Sequence, residues 1–245
     1  MNSKSLFILI GFFLMNFGRL YAQKDNQDSI SKIAIQNTEL FFNKAIGQQS
    51  WLYNGAAYIG YYPNIEGTAY FQDITSFSNS TIWFEGFRYE NVPLKYDIFK
   101  DVMVTLLYDR SSLLSLPSEK ITHVYLNNHH FVYLKIDNSE STMNLKSGFY
   151  DLIHDGKIKL YTKHAKIIKE VVEVEVKQYF NTRTNYFLLK DGIYHAVSNE
   201  SSFIAVLKDK KTNLKKYLKD NKVRFKDNPE QAMVLLANYY DELTK

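Results

Sequence analysis

The sequence predicts a β-dominated α+β fold: an antiparallel curved sheet, sandwich or partial barrel with a flanking N-terminal helix and a C-terminal helical cap. Three observations carry this. Short aromatic or β-branched runs follow one another with turn chemistry about every 8–12 residues, as in all-β architectures. Tyr and Phe number 19 and 17, and both fit a pleated, half-buried surface. Helical periodicity is confined to the two ends of the chain, which argues against strands alternating with crossover helices.

Taken in order, Ser29 to Ile46 places Ile30, Ile33, Ala34, Leu40 and Phe41 at loose three-and-four spacing before Gly47, the pattern of an amphipathic helix packed on the body. Trp51-Leu52-Tyr53 runs into Asn54-Gly55, a two-residue hairpin signal, and Ala57 to Tyr62 reads as the returning strand. Further strands are expected at Thr68 to Phe71, Thr81 to Phe84, Phe87 to Val92, Leu94 to Phe99, Val102 to Tyr108, Leu113 to Leu116, Ile121 to Leu126 and Phe131 to Ile136, with Gly67, Gly86 and Pro93 between runs. Gly148 to Gly156 suits one or two helical turns. Then Ile158, Leu160, Thr162 and His164 alternate with Lys157, Lys159, Tyr161 and Lys163, a strand with one face in the core and one in water. Val171 to Val176 and Tyr179 to Phe180 lead to a hairpin of Tyr186 to Leu189 and Ile193 to Val197, joined at Asp191-Gly192. In the last forty or so residues, Asp209 caps a helix using Leu214, Tyr217 and Leu218. Asn228 as N-cap, Pro229 at the first helical position and Gln231 in a capping-box pattern open another. Its apolar stripe is Ala232, Met233, Leu236, Tyr239, Tyr240 and Leu243.

Ahead of all this, Lys4 precedes an apolar run from Leu6 to Phe17, and Leu20-Tyr21-Ala22 ends in a small residue. That is the layout of a secretory signal peptide, with cleavage expected after Ala22. The run is too short for a helix crossing roughly 30 Å of hydrocarbon. Residues 1–22 are thus read as a leader and 23–245 as a single domain, with a helix over 29–46, antiparallel strands over 51–197 and a helical cap over 200–243. The chain has no cysteine, which excludes disulfides, thiolate metal sites, a cysteine nucleophile and lipoprotein acylation. Export without disulfides points to a bacterial envelope, the periplasm or the outer-membrane surface, rather than a eukaryotic secretory route.

Motifs for chemistry are missing. No serine-nucleophile elbow, phosphate loop, dinucleotide fingerprint or zinc-protease motif occurs, so no catalytic residue, cofactor or metal ligand is assigned. His129-His130 point to opposite faces of a regular strand and cannot chelate one ion as a pair. His123 and His164 fall in strand patterns, and His154-Asp155 in a turn. Acid–base pairs for glycoside hydrolysis would have to come from Glu85, Glu90, Asp97, Asp101 or Asp109, and nothing in their spacing selects two of them. The recurring Tyr-Asp pairs, such as Tyr96-Asp97 and Tyr240-Asp241, suit turns at strand ends.

Charge is the one feature with direction. The net charge is +4, yet Lys208 to Lys226 alone holds nine Lys/Arg against two Asp. Lys211, Lys215 and Lys219 recur at i, i+4, i+8 with Lys216 beside them, so one helix face carries several ammonium groups. The alternative reading is an ordinary solvated face. Export removes nucleic acid as a partner and leaves anionic lipid, acidic glycan or an acidic envelope protein.

Three stretches carry a resemblance: Trp51-Leu52-Tyr53-Asn54-Gly55; Glu85-Gly86-Phe87-Arg88-Tyr89 with Asn91 to Asp97; and Tyr217-Leu218-Lys219, Asn221-Lys222 and Tyr239-Tyr240-Asp241. Together they resemble a group of exported β-rich proteins of the Bacteroidota without established activity. The resemblance implies compartment and lineage and assigns no site residue. The expected function is therefore a non-catalytic envelope protein acting as a binding or structural module. The alternatives are a lipid-carrier-like half-barrel for an apolar ligand and, third, a hydrolase of envelope or glycan substrates. No transmembrane segment is expected after leader removal.

Overall fold

The structure, a computed structural model, describes residues 33–35, 37–38, 41–42 and 51–245, apart from 108, 110, 137–144 and 173–175. It divides into two compact units, Met1–Gly47 and Gln48–Lys245. In the first, the described residues are helical, and Thr38 Oγ1 donates to Ala34 O at 2.8 Å. This agrees with the helix expected there. The leader and the rest of that helix lie outside the described residues.

The second unit is built on one large, open, curved sheet of twelve strands. They are β1 (Ala56–Ala57), β2 (Ile65–Glu66), β3 (Ser78–Phe84), β4 (Phe87–Asp97), β5 (Val102–Leu106), β6 (Leu113–Ser115), β7 (Ile121–Leu126), β8 (His129–Leu134), β9 (Gly148–Asp155), β10 (Lys159–Val172), β11 (Val176–Lys190) and β12 (Ile193–Val197). Their spatial order is β1-β6-β5-β4-β3-β7-β8-β9-β10-β11-β12, with β2 added to β11. Pairing is antiparallel throughout except for β2 on β11. Three helices follow: α1 (Glu200–Val206), α2 (Lys211–Asp220) and α3 (Pro229–Leu243).

The turns explain much of the register. Glu85-Gly86, Asn127-Asn128 and Asp191-Gly192 each join paired strands as two-residue loops with positive φ at both positions. That is the primed turn whose twist matches the strands. Asn and Asp tolerate the left-handed region better than most residues.

Asn54-Gly55 is not a hairpin turn: neither residue takes a positive φ. Trp51–Tyr53 is a 3₁₀ turn, and the strand after it is only β1, paired with Leu114 and Ser115. Gly55 passes so close to β6 that an added Cβ would run into the Ser115 carbonyl. The glycine is there for backbone approach rather than for a turn. In the run from Thr68 to Phe71, only Tyr70 makes a bridge, to Asp97. Phe71–Asp73 then forms a 3₁₀ turn.

Pro93 does not split its strand. Its carbonyl accepts from Thr105 Oγ1 at 2.9 Å, so its missing N–H also faces β5. The β4–β5 ladder begins only at Leu94, so the position without a donor lies at its end. Gly148 to Gly156 is a strand rather than helical turns. Phe149 packs in the core on one face and Tyr150 in a cluster on the other, and covering both faces yields an apolar run that mimics a helix. For the same reason the strand over Lys157 to His164 has no watery face: Leu160 and Tyr161 are both buried, in different clusters.

Asp209 caps nothing. α2 starts at Lys211 without a side-chain cap, and the Asp209 carboxylate accepts from Lys190 at 2.7 Å and from the Tyr240 hydroxyl at 3.1 Å. α1 has the reciprocal capping box, Asn199 with Ser202. At α3, Asn228 Oδ1 accepts from Gln231 N at 3.0 Å with Pro229 in the first turn, as expected. Gln231 Oε1 meets the Asn228 side-chain amide at 3.5 Å instead of its backbone N–H.

Two cores share one face of the sheet. The first gathers β3–β5 and β7–β9 around Phe71, Tyr96, Phe131 and Phe149, whose rings meet at 5.0–6.2 Å. The second packs Leu160 and Leu188 under α1–α3, with Phe203, Leu214, Met233 and Leu236 at or near zero exposure. The opposite face carries the third cluster, Val132, Leu145, Tyr150, Tyr161 and Phe187.

Candidate functional site

The lysines singled out from spacing all lie on α2 and all are exposed. Leu214 and Leu218 are buried against the body, which turns the charged positions outward. The structure separates them into two sets. Lys211 and Lys215 line a cleft of about 900 Å³ together with Lys208, Arg224, Lys226 and Glu200, so five cationic side chains face one carboxylate. Ile204, Val223 and Phe225 supply apolar lining. Lys216 pairs along the helix with Asp220 at 3.2 Å; it and Lys219 are not among the lining residues. Helical spacing alone could not find Arg224 and Lys226. They arrive because the α2–α3 connection folds back, Val223 N donating to Leu218 O at 2.9 Å.

A second polar feature sits between the two cores. Phe131, Asp151, Thr162 and Tyr186 are cross-strand partners on β8–β11 and lie in one row on the helix-bearing face. Asp151 is 2% exposed. His129 Nδ1 lies 2.5 Å from its Oδ2 and His164 Nε2 3.5 Å from the same oxygen. Phe71 packs against both imidazoles at 4.8 Å. Burial alone would raise the Asp151 carboxyl; the bond from His129 and the neighbouring His164 ring outweigh it and hold the group below its ordinary value. The bond to Asp151 raises His129 against the opposing effect of burial. His129 Nε2 is 3.0 Å from Gln72 Nε2; in the neutral ring Nδ1–H points toward Asp151 and Nε2 accepts from the amide, and in the protonated ring the turned amide offers its oxygen instead. With both ring nitrogens committed, His129 acts as a fastener between strand and loop. Gln72 and Asp73 both hold positive φ, and Asp73 bonds to the buried Lys166.

The carboxylates considered for acid–base work do not converge. Asp97 accepts from Tyr58 (2.8 Å), Tyr61 (2.6 Å) and the backbone N–H groups of Phe99 and Lys100 (both 2.9 Å). Asp101 takes Tyr96 at 2.5 Å and Lys163 at 2.6 Å. Glu85 pairs with Lys120, Glu90 with Arg88, and Asp109 with Ser111 and Ser112. Each has its own local partner.

The remaining histidines are also sorted by register. His154 is on β9, not in a turn, and meets Asp241 of α3 at 2.9 Å. The β9–β10 pairing shifts by one residue beside it, which aims it at the helix. His129 and His130 face opposite ways, as expected for neighbours on a strand. His130 instead meets His123, Nε2 to Nδ1 at 3.0 Å, across the β7–β8 hairpin. The Asn127-Asn128 turn pairs Tyr125 with His130 and His123 with Val132, which makes the two histidines diagonal neighbours. Counting outward from that turn would have found them in the sequence.

No family model, curated protein or solved structure matches the chain. Among the described residues, no helix is long and apolar enough to cross a membrane.

Proposed function

We propose that this chain is an exported, non-catalytic protein of the cell envelope that binds an anionic partner through the basic cleft of α1, α2 and the α2–α3 connection. The observation that carries the reading is the convergence of Lys208, Lys211, Lys215, Arg224 and Lys226 on one opening, with Glu200 as its one lining carboxylate and Asp227 paired to Arg224 at 3.4 Å. The leader pattern at residues 1–22, the absence of cysteine and the resemblance to exported proteins of the Bacteroidota support the compartment. The apolar lining favours a partner with both charge and hydrocarbon, such as an anionic lipid, over a purely polar glycan. A carrier with its ligand in the hollow of the curved sheet has less support. Interlocked rings occupy that core, and the space beside Phe71, Leu94 and Leu126 measures about 10 Å³, roughly one water.

The test is co-sedimentation of the mature protein with vesicles containing phosphatidylglycerol, beside neutral vesicles and a soluble acidic polysaccharide. Each lysine near an anionic surface contributes about 1 kcal/mol, so Lys211→Gln with Lys215→Gln should weaken vesicle binding by roughly 30-fold at low salt. Lys216→Gln with Lys219→Gln should cost much less. Equal binding by both double variants and the wild type would overturn the proposal. Preference for the polysaccharide would keep the cleft and change the partner.

A further inference from the structure

We propose that His123 and His130 form a surface site for a late first-row transition-metal ion (copper, nickel or zinc in the divalent state), held across the β7–β8 hairpin by His123 Nδ1 and His130 Nε2. This site lies on the strands, apart from the basic cleft, and does not depend on it.

The geometry begins with the backbone. Two-residue closure at Asn127-Asn128 fixes the β7–β8 register over four residue pairs, so the two imidazoles sit on one face as diagonal neighbours. Such positions are within reach of long side chains. The facing nitrogens are 3.0 Å apart. Two ligands at metal–nitrogen distances of about 2.0–2.1 Å lie about 2.9 Å apart at a right angle and about 3.4 Å apart at a tetrahedral angle. The separation already present falls in that range. The rings are inclined by 25° with centroids 5.2 Å apart, and the contact is an N–H···N bond in which one ring donates and the other accepts. Shifting that proton to the outer nitrogen of the same ring frees both facing lone pairs. A small rotation of each ring then turns them from each other toward a shared cation. Above the histidine pKa range this costs no net proton.

The surroundings suit a ligand pair. Tyr125 stacks on the His130 ring at 4.3 Å and 8°, and Trp83 meets His123 edge-on at 6.0 Å, which limits ring wandering. His123 is exposed and His130 half-buried, so an ion can enter and water can complete its coordination. Burial, together with the neighbouring His123, lowers the His130 pKa and favours the neutral form that a metal needs. Among the described residues no group of three or more His, Cys, Asp or Glu converges on a metal position. The site therefore has two protein ligands, imidazoles that select copper, nickel and zinc over magnesium or calcium.

The experiment titrates Cu²⁺, Ni²⁺, Zn²⁺ and Mg²⁺ separately into the mature protein, in wild type and in His123→Gln, His130→Gln and His129→Gln variants. Calorimetry gives the affinity, and histidine ring resonances by NMR identify the ligands. One equivalent of Cu²⁺ should bind most tightly, following the usual divalent order, and Mg²⁺ not at all. Losing either facing imidazole should weaken Cu²⁺ by about tenfold or more, equivalent to about 1.4 kcal/mol, while His129→Gln leaves it unchanged. Binding should fade as pH falls through the histidine range. Affinity that survives both single substitutions, or ring shifts confined to other histidines, would overturn the assignment. Because circular dichroism can verify folding of these surface variants, a loss of binding in a folded variant is read as loss of a ligand.

Discussion

His129 Nδ1 lies 2.5 Å from Asp151 Oδ2, and that bond joins β8 to β9 at the boundary between the two cores. Phe149 and Phe131 fill one side of the boundary, and Leu160 and Leu188 the other. The sheet could have continued its apolar face without a break. Instead it carries a buried carboxylate whose close partner is the His129 imidazole, so its balance depends on pH.

The sign follows from the two shifts. Asp151 is lowered in the fold, so its contribution is full above about 3.8, its unfolded value, and fades as pH falls through the folded one. His129 is raised, so its contribution is full below about 6.5 and fades as pH rises through the folded value. Both therefore act together between about pH 4 and 6.5. Denaturant midpoints across pH should show Asp151→Asn losing most stability in that window relative to wild type, with the difference shrinking on both sides. A penalty independent of pH would show that packing, rather than the ion pair, is what the substitution disturbs.

Asp97 ties the segment before β3 to the end of β4. It is fully buried and accepts from two tyrosine hydroxyls and two backbone N–H groups. Burial, followed by the bond to this carboxylate, pushes the Tyr61 hydroxyl far above its usual range, so Tyr61 stays a donor throughout the accessible pH range. Asp97→Ala leaves buried donors without an acceptor, each costing on the order of 1–3 kcal/mol. The variant should unfold at a much lower denaturant concentration. Tyr61→Phe removes one donor and should cost about 1 kcal/mol. Urea unfolding of the two variants side by side checks the ratio.

How much of this was legible beforehand depends on how local the cause is. The β7 boundaries Ile121–Leu126, the Asp191-Gly192 turn and the Asn228-Pro229 start of α3 are set by neighbouring residues, and the sequence pattern finds them. Trp51 to Gly55 misleads because an Asn-Gly pair states what a turn can be made of, while the contact with Ser115 some sixty positions away decides what the backbone does. Gly148 to Gly156 misleads because a strand covered on both faces loses the two-residue alternation that identifies it. Lys211 and Lys215 were visible as a charged helix face, but their partners Arg224 and Lys226 depend on the fold of the α2–α3 connection. The histidine pair needed only the hairpin register. Adjacent His129 and His130 face apart, and the partner of His130 is His123 across the turn.

The apolar stripe of α3 docks in the second core. Ala232, Met233, Leu236, Ala237 and Tyr240 are buried, and Tyr239 stacks on Tyr217 of α2 at 4.4 Å and 20°. Polar ties hold both ends. Asp241 receives His154 at 2.9 Å and the backbone N–H of Lys157 at 3.1 Å, and Glu230 lies 3.3 Å from Thr162 Oγ1. Leu236 has no exposure, so Leu236→Ala should cost about 2–5 kcal/mol through lost burial and the cavity left behind. Asn228→Ala removes a cap and should cost about 1 kcal/mol. The two sites lie on different turns with separate partners, so the double variant should lose about the sum. Truncation before Asn228 uncovers Leu160 and Leu188 and should expose apolar surface that binds a hydrophobic dye. Should the truncated chain keep the wild-type denaturant midpoint and bind no dye, α3 would be an appendage, and the second core would have to hold together without it.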